Sequence, residues 1–301
     1  MYELVRKVLR PLPDKLFLQL YFFKNMKRFI NFKDPKTFNE KIQWLKVNDR
    51  NPLYTKIADK YEVRQYVKDL LGEEYLIPMY GVYNSFSQID FDKLPEQFVI
   101  KCTHDSGSVV VCRDKKDFDI EKARQKIQRG MGRNAYEYAK EWQYKNVPPR
   151  IIVEKYLQQD NGETIIDYKF FCFNGEPKFF YVSQGLENHA TASISFYDLK
   201  GNRMPFCRTD YPQFQEDKLP ILKDQMIALA QKSAKNIPSP FIRVDFYEIG
   251  GKIYFSEFTL HPCSGVMPFR PKEWDNTVGE WLRLDSDAYF RHSKGRKKDA
   301  R

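Results

Sequence analysis

No run of apolar residues in this 301-residue sequence is long enough to cross a bilayer, and its start lacks an apolar core followed by a small-residue cleavage site. Those absences predict a soluble, unexported, cytoplasmic protein. Cysteine is scarce: Cys102, Cys112, Cys172, Cys207 and Cys263 are odd in number and scattered, with no CxxC and no Cys/His pair at metal-ligand spacing. That excludes a disulfide framework and a structural zinc site, leaving reduced thiols. The phosphate loop GxxxxGK[ST] is missing. The net charge of +10 comes without a helix-turn-helix, finger or RNP-like stretch, so nucleic acid is not an expected partner. No Ser-His-Asp or Cys-His arrangement stands out, which argues against a covalent nucleophile.

Apolar residues are plentiful at 42%, enough to offset the entropy of ordering the backbone. Part of the positive charge sits in residues 286–301, read as a basic, solvated tail. Arg6, Lys7, Arg10, Lys15, Lys24, Lys27 and Arg28 surround the apolar run 16–23. That stretch reads as a core helix or, alternatively, as a surface touching anionic lipid. Residues 1–95 look mainly helical: Thr37 and Glu40 have the spacing of a capping box, and helical patterning continues over 56–67.

Residues 96–153 begin with a strand at 97–102, the loop Thr103-His104-Asp105-Ser106-Gly107-Ser108 and a second strand at 109–112. A helix over 120–130 follows, then an aromatic, basic segment over 136–145 and a strand from Ile151. In residues 154–285 the strand 167–173 meets 178–182 across Asn174-Gly175, both of which tolerate positive φ. Leu222, Met226, Leu229 and Ala230 give a helix one apolar face. The strands 241–247 and 252–259 join through Gly250-Gly251. The mixture predicts an α+β fold.

Alternation puts Arg243 and Asp245 on one face of their strand, and likewise Glu257 and Thr259. If those faces coincide, a cation, two carboxylates and a hydroxyl share one region, a hard-oxygen set that suits Mg²⁺ beside phosphates. Taken alone, the same residues also describe a surface hairpin with a cross-strand ion pair. Lys101 ends an apolar strand just before a Ser/Gly loop whose N–H groups can cradle an anion. Glu154-Lys155-Tyr156-Leu157 ends another strand and can offer a backbone edge and an apolar wall to adenine.

In their order and approximate spacing, Lys101, Glu154-Lys155-Tyr156-Leu157, Arg243-x-Asp245 and Glu257-x-Thr259 resemble the ATP-grasp superfamily. The likeness is to its TupA-like branch, found in bacterial polysaccharide gene sets. Tyr144-Lys145-Asn146, Pro149-Arg150-Ile151-Ile152-Val153-Glu154 and Asp167-Tyr168-Lys169-Phe170 add to it. The resemblance implies two α+β subdomains clamping ATP, residues 96–153 as the lid and 154–285 as the metal and phosphate unit, after a helix-rich region at 1–95.

It further implies that Lys60 and Lys101 hold the nucleotide phosphates, with Asp105, Ser106, Gly107 and Ser108 as lid loop. Glu154, Lys155 and Leu157 would meet adenine, and Glu154 or Asp160 the ribose. Lys169 would sit near the γ-phosphate, Arg243 would stabilise the transition state, and Asp245 and Glu257 would bind Mg²⁺. Thr259 stands where many relatives have Asn. Lys56, one helical turn from Lys60, competes for that assignment. His104 and Cys263 remain open between functional and packing roles, as do Trp142, Tyr144 and Arg270 between binding a sugar and packing the lid.

The implied activity is Mg-ATP-dependent joining of a carboxylate to an amine through an acylphosphate, with saccharide-linked substrates. A glycosyltransferase is the rival reading, with Asp90-Phe91-Asp92 as its acidic triplet. Peripheral contact with the inner face of a membrane is a further expectation.

Overall fold

The computed structural model describes residues 11–159, 162–186 and 192–284. Arg6, Lys7, Arg10, Asp160 and the tail at 286–301 lie outside them. Among the described residues no helix is long and apolar enough to cross a membrane.

Helix α1 (Asp14–Met26) buries Phe17, Leu18 and Phe22 on one face and stops where Lys27 turns left-handed. Helix α2 (Phe38–Asn48) starts on the expected capping box, with the Glu40 N–H donating to Thr37 Oγ1 and the Thr37 N–H to Glu40 Oε2, both at 3.2 Å. The helix predicted over 56–67 is broken. Helix α3 (Leu53–Ala58) ends and α4 (Glu62–Leu70) begins around Asp59, Lys60 and Tyr61. Asp59 Oδ1 accepts from the Tyr61 N–H at 2.8 Å, and the Lys60 N–H goes to the Thr103 carbonyl at 3.1 Å. The two helices therefore trade continuity for contacts with a distant loop.

A four-stranded antiparallel sheet has the order β1-β4-β2-β3, from β1 (Met79–Tyr83), β2 (Phe98–Cys102), β3 (Val109–Cys112) and β4 (Ile151–Lys155). Its first strand lies in a stretch that reads as helical. Helix α5 (Ile120–Met131) covers one face, packing Ala123 and Ile127 on Phe98, Ile100, Ile151 and Val153. The short helix α6 (Tyr136–Ala139) follows.

The larger sheet runs β10-β9-β5-β6-β7, from β5 (Ile166–Phe173), β6 (Glu176–Gln184), β7 (Ser193–Asp198), β9 (Phe241–Ile249) and β10 (Lys252–Thr259). A two-stranded ribbon joins β8 (Cys207–Arg208) to β11 (Phe269–Arg270). The Asn174-Gly175 turn between β5 and β6 has φ of 50° and 86°, as its residue types require. One face of the sheet packs Phe170, Phe180 and Val244 on helix α7 (Lys223–Asn236). The other face is divided. Phe171, Phe173, Phe179 and Phe241 pack under α2 and α8 (Trp274–Trp281), and the remaining part carries charge.

Candidate active site

Across the larger sheet, strand register places Tyr181, Lys169, Asp245 and Glu257 side by side on β6, β5, β9 and β10. Glu257 reaches this row through a β-bulge. The hairpin pairs Lys252 with Ile249 and runs in register to Phe255 opposite Phe246, yet Glu257 and not Ser256 lies opposite Asp245. Without the extra residue, Glu257 would pair with Val244 and point to the other face.

The side chains are tightly joined. Arg243 donates from Nε and Nη2 to the two oxygens of Asp245 at 2.7 and 2.6 Å, and from Nη2 to Glu257 Oε1 at 3.1 Å. Lys169 donates to Asp245 Oδ2 at 2.8 Å and Asp167 Oδ1 at 2.9 Å. The Thr259 hydroxyl donates to Glu257 Oε1 at 3.2 Å. Burial works against the charge on Asp245, but the facing Arg243 and Lys169 win and hold its carboxyl below the usual range. Lys169 is held well above its ordinary value despite burial, by Asp167 and Asp245. Asp167 behaves oppositely: burial outweighs Lys169 and raises it.

The facing wall comes from the smaller sheet and the α3–α4 break. Lys101 donates to Glu154 Oε2 at 2.8 Å, and Arg64 holds the other oxygen of Glu154 at 3.0 Å. Burial opposes the Lys101 charge, yet Glu154 keeps the ammonium above its usual value. Lys60 is bonded to the carbonyl of Asp105, and burial pushes its ammonium down against the pull of Glu257 and Asp105. Ser108 donates to Asp105 within the same loop, and a Cβ at Gly130 would fall 2.2 Å from the Ser108 hydroxyl, so this glycine lets the loop rest on the end of α5.

Between the walls lies a crevice of about 270 Å³, with Lys60, Lys101 and Glu154 on one side and Asp167, Lys169 and Glu257 on the other. Ser106 and Gly107 close it, while Val63, Leu76, Ile77 and Phe255 add an apolar stretch. A second chamber of about 440 Å³ shares Ser106 and Glu257 with the first and adds Arg243 and Thr259.

Other expected residues fall elsewhere. Lys155 projects to the outer side beside Tyr80 and Arg113, because alternation along β4 turns it away from Glu154, and its N–H is taken by the Pro78 carbonyl at 2.8 Å. Leu157 and Ser108 are buried and do not line the crevice, and Asp245 is wholly buried, joined to the crevice residue Lys169. Lys56 is exposed and away from the crevice, so the break between α3 and α4 favours Lys60.

The candidate residues outside the nucleotide set separate in the same way. His104 is buried, with Nε2 3.1 Å from the Gly130 carbonyl at the end of α5. Trp142 packs on the core, Arg270 sits in the small ribbon, and burial pushes the Cys263 thiol up. Asp90 caps its own turn by accepting from the Asp92 N–H and pairs with Lys93 at 2.9 Å, which is turn chemistry and not a sugar-nucleotide site.

The model of the TupA-like ATP-grasp family matches residues 40–283. The chain belongs to the TupA-like ATP-grasp family. ATP-grasp proteins of this kind are ATP-dependent carboxylate–amine ligases that use Mg²⁺. Similar solved structures include a D-alanine–D-alanine ligase from Helicobacter pylori, at 16% identity and a TM-score of 0.42, covering 76% of this chain and 61% of that one. An L-amino acid ligase from Bacillus licheniformis aligns at 15% identity and a TM-score of 0.43, over 88% of this chain and 57% of that one. The ATP complex of a D-alanine–D-alanine ligase from Bacillus anthracis aligns at 17% and 0.41, over 80% and 72%. The chain spans about three fifths of the length of the first ligases it matches. No curated protein sequence matches it.

Arg64, Asp167 and Tyr247 line the crevice, though none of them was assigned a role from the sequence. Asp167 was legible, since it shares a strand face with Lys169. Arg64 was not, because its partner Glu154 lies far along the chain.

Proposed function

We propose that this chain is a Mg-ATP-dependent ligase that activates a carboxylate as an acylphosphate and joins it to an amine. The observation that supports this reading is the crevice in which Lys60 and Lys101 face Lys169 and Glu257, with Arg243 two residues from Asp245 on the same strand face. In the first step a carboxylate oxygen bonds to the γ-phosphorus as the bond to the ADP oxygen breaks. In the second the amine nitrogen bonds to the acyl carbon, the carbon–oxygen bond to phosphate breaks, and the nitrogen loses a proton. Lys169 and Arg243 would neutralise charge on the transferring oxygens, while Lys60 and Lys101 hold the remaining phosphates.

Asp245, Glu257 and Thr259 offer hard oxygen donors that fit Mg²⁺ when phosphates complete its shell. Among the described residues no group of three or more His, Cys, Asp or Glu is placed to hold a metal ion. When bound, Mg²⁺ would neutralise phosphate charge. Glu257 is open to the crevice, with its side chain 40% exposed, whereas Asp245 must first exchange an Arg243 bond.

The polysaccharide setting of the family supports a uronic-acid-containing polysaccharide or precursor as one substrate and an amino acid or amino sugar as the other, in the cytoplasm. A hollow of about 690 Å³ that includes Asn134, Tyr138, Tyr144 and Asn146 adds sugar-compatible amides and aromatics beside the second chamber. The test is ATP-dependent phosphate release over pairs of uronic acids, amino acids and amino sugars. Release that needs both partners supports the ligase, and consumption of a sugar nucleotide without ATP would refute it.

Helix α1 supports a peripheral membrane position. Opposite its buried face, Leu16, Leu20 and Phe23 are exposed at helical spacing, and Phe29 stacks on Phe23 at 4.7 Å. Lys15, Lys24 and Lys27 rim this ridge, a charge that complements anionic lipid. Co-sedimentation with phosphatidylglycerol vesicles, lost in Phe23→Ser with Phe29→Ser, is expected. Equal recovery of wild type with pure phosphatidylcholine, or with neither vesicle, would rule the contact out.

A further inference from the structure

The second chamber holds polar groups that nucleotide chemistry does not use. Glu141 lines it, with Oε1 accepting from the Ser264 hydroxyl at 2.6 Å and Oε2 from Gln143 Nε2 at 3.1 Å. Burial raises the Glu141 carboxyl, with Lys46 pulling the other way. His261 also lines the chamber and is 6% exposed, and its Nδ1 has no hydrogen-bond partner, lying 4.0 Å from Glu141 Oε2. A second buried atom without a partner, Asp105 Oδ1, belongs to the loop that separates the two spaces. Buried polar atoms left unsatisfied point to a ligand or water that completes them.

The walls of this chamber are unusually constrained. Cys263, Ser264 and Gly265 all have positive φ, of 49°, 50° and 68°. Two successive non-glycine residues in that region are strained, and such strain persists where surrounding contacts impose it. Here the Lys46 ammonium, itself buried, donates to the Ser264 carbonyl at 2.7 Å and the Ala139 carbonyl at 3.0 Å. Lys46 thereby ties the strained turn to the segment that carries Glu141. At the outer end stands Arg133, exposed and lining both this chamber and the larger hollow beyond.

We propose that this chamber is the amine-substrate site, with Glu141 taking the ammonium group and Arg133 an acidic group of the same molecule. The amine partner is then an α-amino acid and not an amino sugar. The inference rests on the ligase reading, since only that reaction calls for an amine beside Arg243 and Glu257. A zwitterion matches both poles of the chamber: a carboxylate held at its buried end and a guanidinium at its mouth. An amino sugar would satisfy Glu141 but present neutral hydroxyls to Arg133, whose fork of donors is suited to a carboxylate.

The experiment is isothermal titration of the full chain, with Mg²⁺ and a nonhydrolysable ATP analogue, against each common amino acid, glucosamine and galactosamine. At least one amino acid is expected to bind, with both amino sugars weaker by about tenfold or more, the loss that follows from one charge-assisted contact. Glu141→Gln and Arg133→Ala should each weaken the amino acid by a similar factor. Arg133 is exposed, so its replacement keeps the test independent of folding. Amino sugars binding as tightly, wild-type affinity in both variants, or no amine binding to the nucleotide-loaded protein would each overturn the proposal. Failure of the analogue itself to bind would instead remove the ligase reading.

Discussion

Replacing Arg243 by alanine should damage both the reaction and the fold, and the two losses can be measured apart. Its guanidinium is buried, makes bonds of 2.7 and 2.6 Å to Asp245, and lies 5.7 Å over the Tyr181 ring. Asp245 is wholly buried. Removing one member of a buried ion pair costs about 3–5 kcal/mol, because the other is left uncompensated. Lys169 remains 2.8 Å from Asp245, which keeps the expected cost near the lower end, about 3 kcal/mol. At roughly 2–4 °C per kcal/mol for a chain of this order, the melting temperature should fall by about 6–12 °C. Glu257→Gln is the control. Its carboxylate is 40% exposed, so it should lose phosphate release while costing under about 1 kcal/mol. Thermal melts of both variants beside wild type decide the matter. If Arg243→Ala melts within about 2 °C of wild type, the buried cluster is not what holds the centre of the sheet.

Three further outcomes follow from single contacts. Lys101→Met should weaken an ATP analogue by about tenfold or more in calorimetry and barely move the melt, since Arg64 still pairs Glu154 at 3.0 Å. Thr37→Ala removes the capping box and an Arg28 bond of 2.9 Å, and should cost about 1–2 kcal/mol in a denaturant melt. Asp49 is buried, and burial raises its carboxyl to about 7 despite the bond from Tyr54. The folded state therefore holds a proton that the unfolded chain, with a carboxyl near ~3.9, releases, so wild-type stability should fall as pH rises between roughly 4 and 7. Asp49→Asn should remove that fall, gaining about 1 kcal/mol or more at pH 8 and nothing at pH 4 in paired melts.

What the sequence disclosed depended on how local the cause was. The capping box and the Asn174-Gly175 turn are satisfied by neighbours, so they were readable. The bulge at Ser256 has a subtler trace. Buried positions run Ile253, Phe255 and then Phe258, Leu260, so the alternation changes parity midway, and that change marks the extra residue. The break between α3 and α4 has one local sign, Asp59 accepting from the Tyr61 N–H two residues on, but Asp59 also pairs with Arg150 at 2.5 Å, and that contact exists only in the folded chain. Helix α8 was missed for a similar reason. Its Gly279 lies against α2, where a Cβ would come 2.4 Å from the Lys36 carbonyl, and that closeness exists only once the chain has folded. Lys155 shows the opposite failure: plain alternation from Glu154 already implied that it points outward.

Under the proposed ligase reading, the ion pairs of the crevice bear on how a nucleotide would enter it. Lys101 and Arg64 share Glu154, Lys169 bridges Asp167 and Asp245, and Arg243 spans Asp245 and Glu257. Phosphates that take over Lys169 and Arg243 must loosen their hold on carboxylates, and a buried carboxylate without a counter-charge is costly. On the proposed reading Asp245 and Glu257 would hold a divalent cation that balances their charge, so nucleotide and metal should bind as a unit. The contrast with Lys60 is instructive, because its partner is a backbone carbonyl and its exchange strands no charge. Affinity for an ATP analogue should therefore collapse on chelating Mg²⁺ in wild type, and depend less on Mg²⁺ in Glu257→Gln, where one stranded charge is gone. Equal sensitivity to chelation in the two proteins would mean that these carboxylates are not released when the phosphates bind.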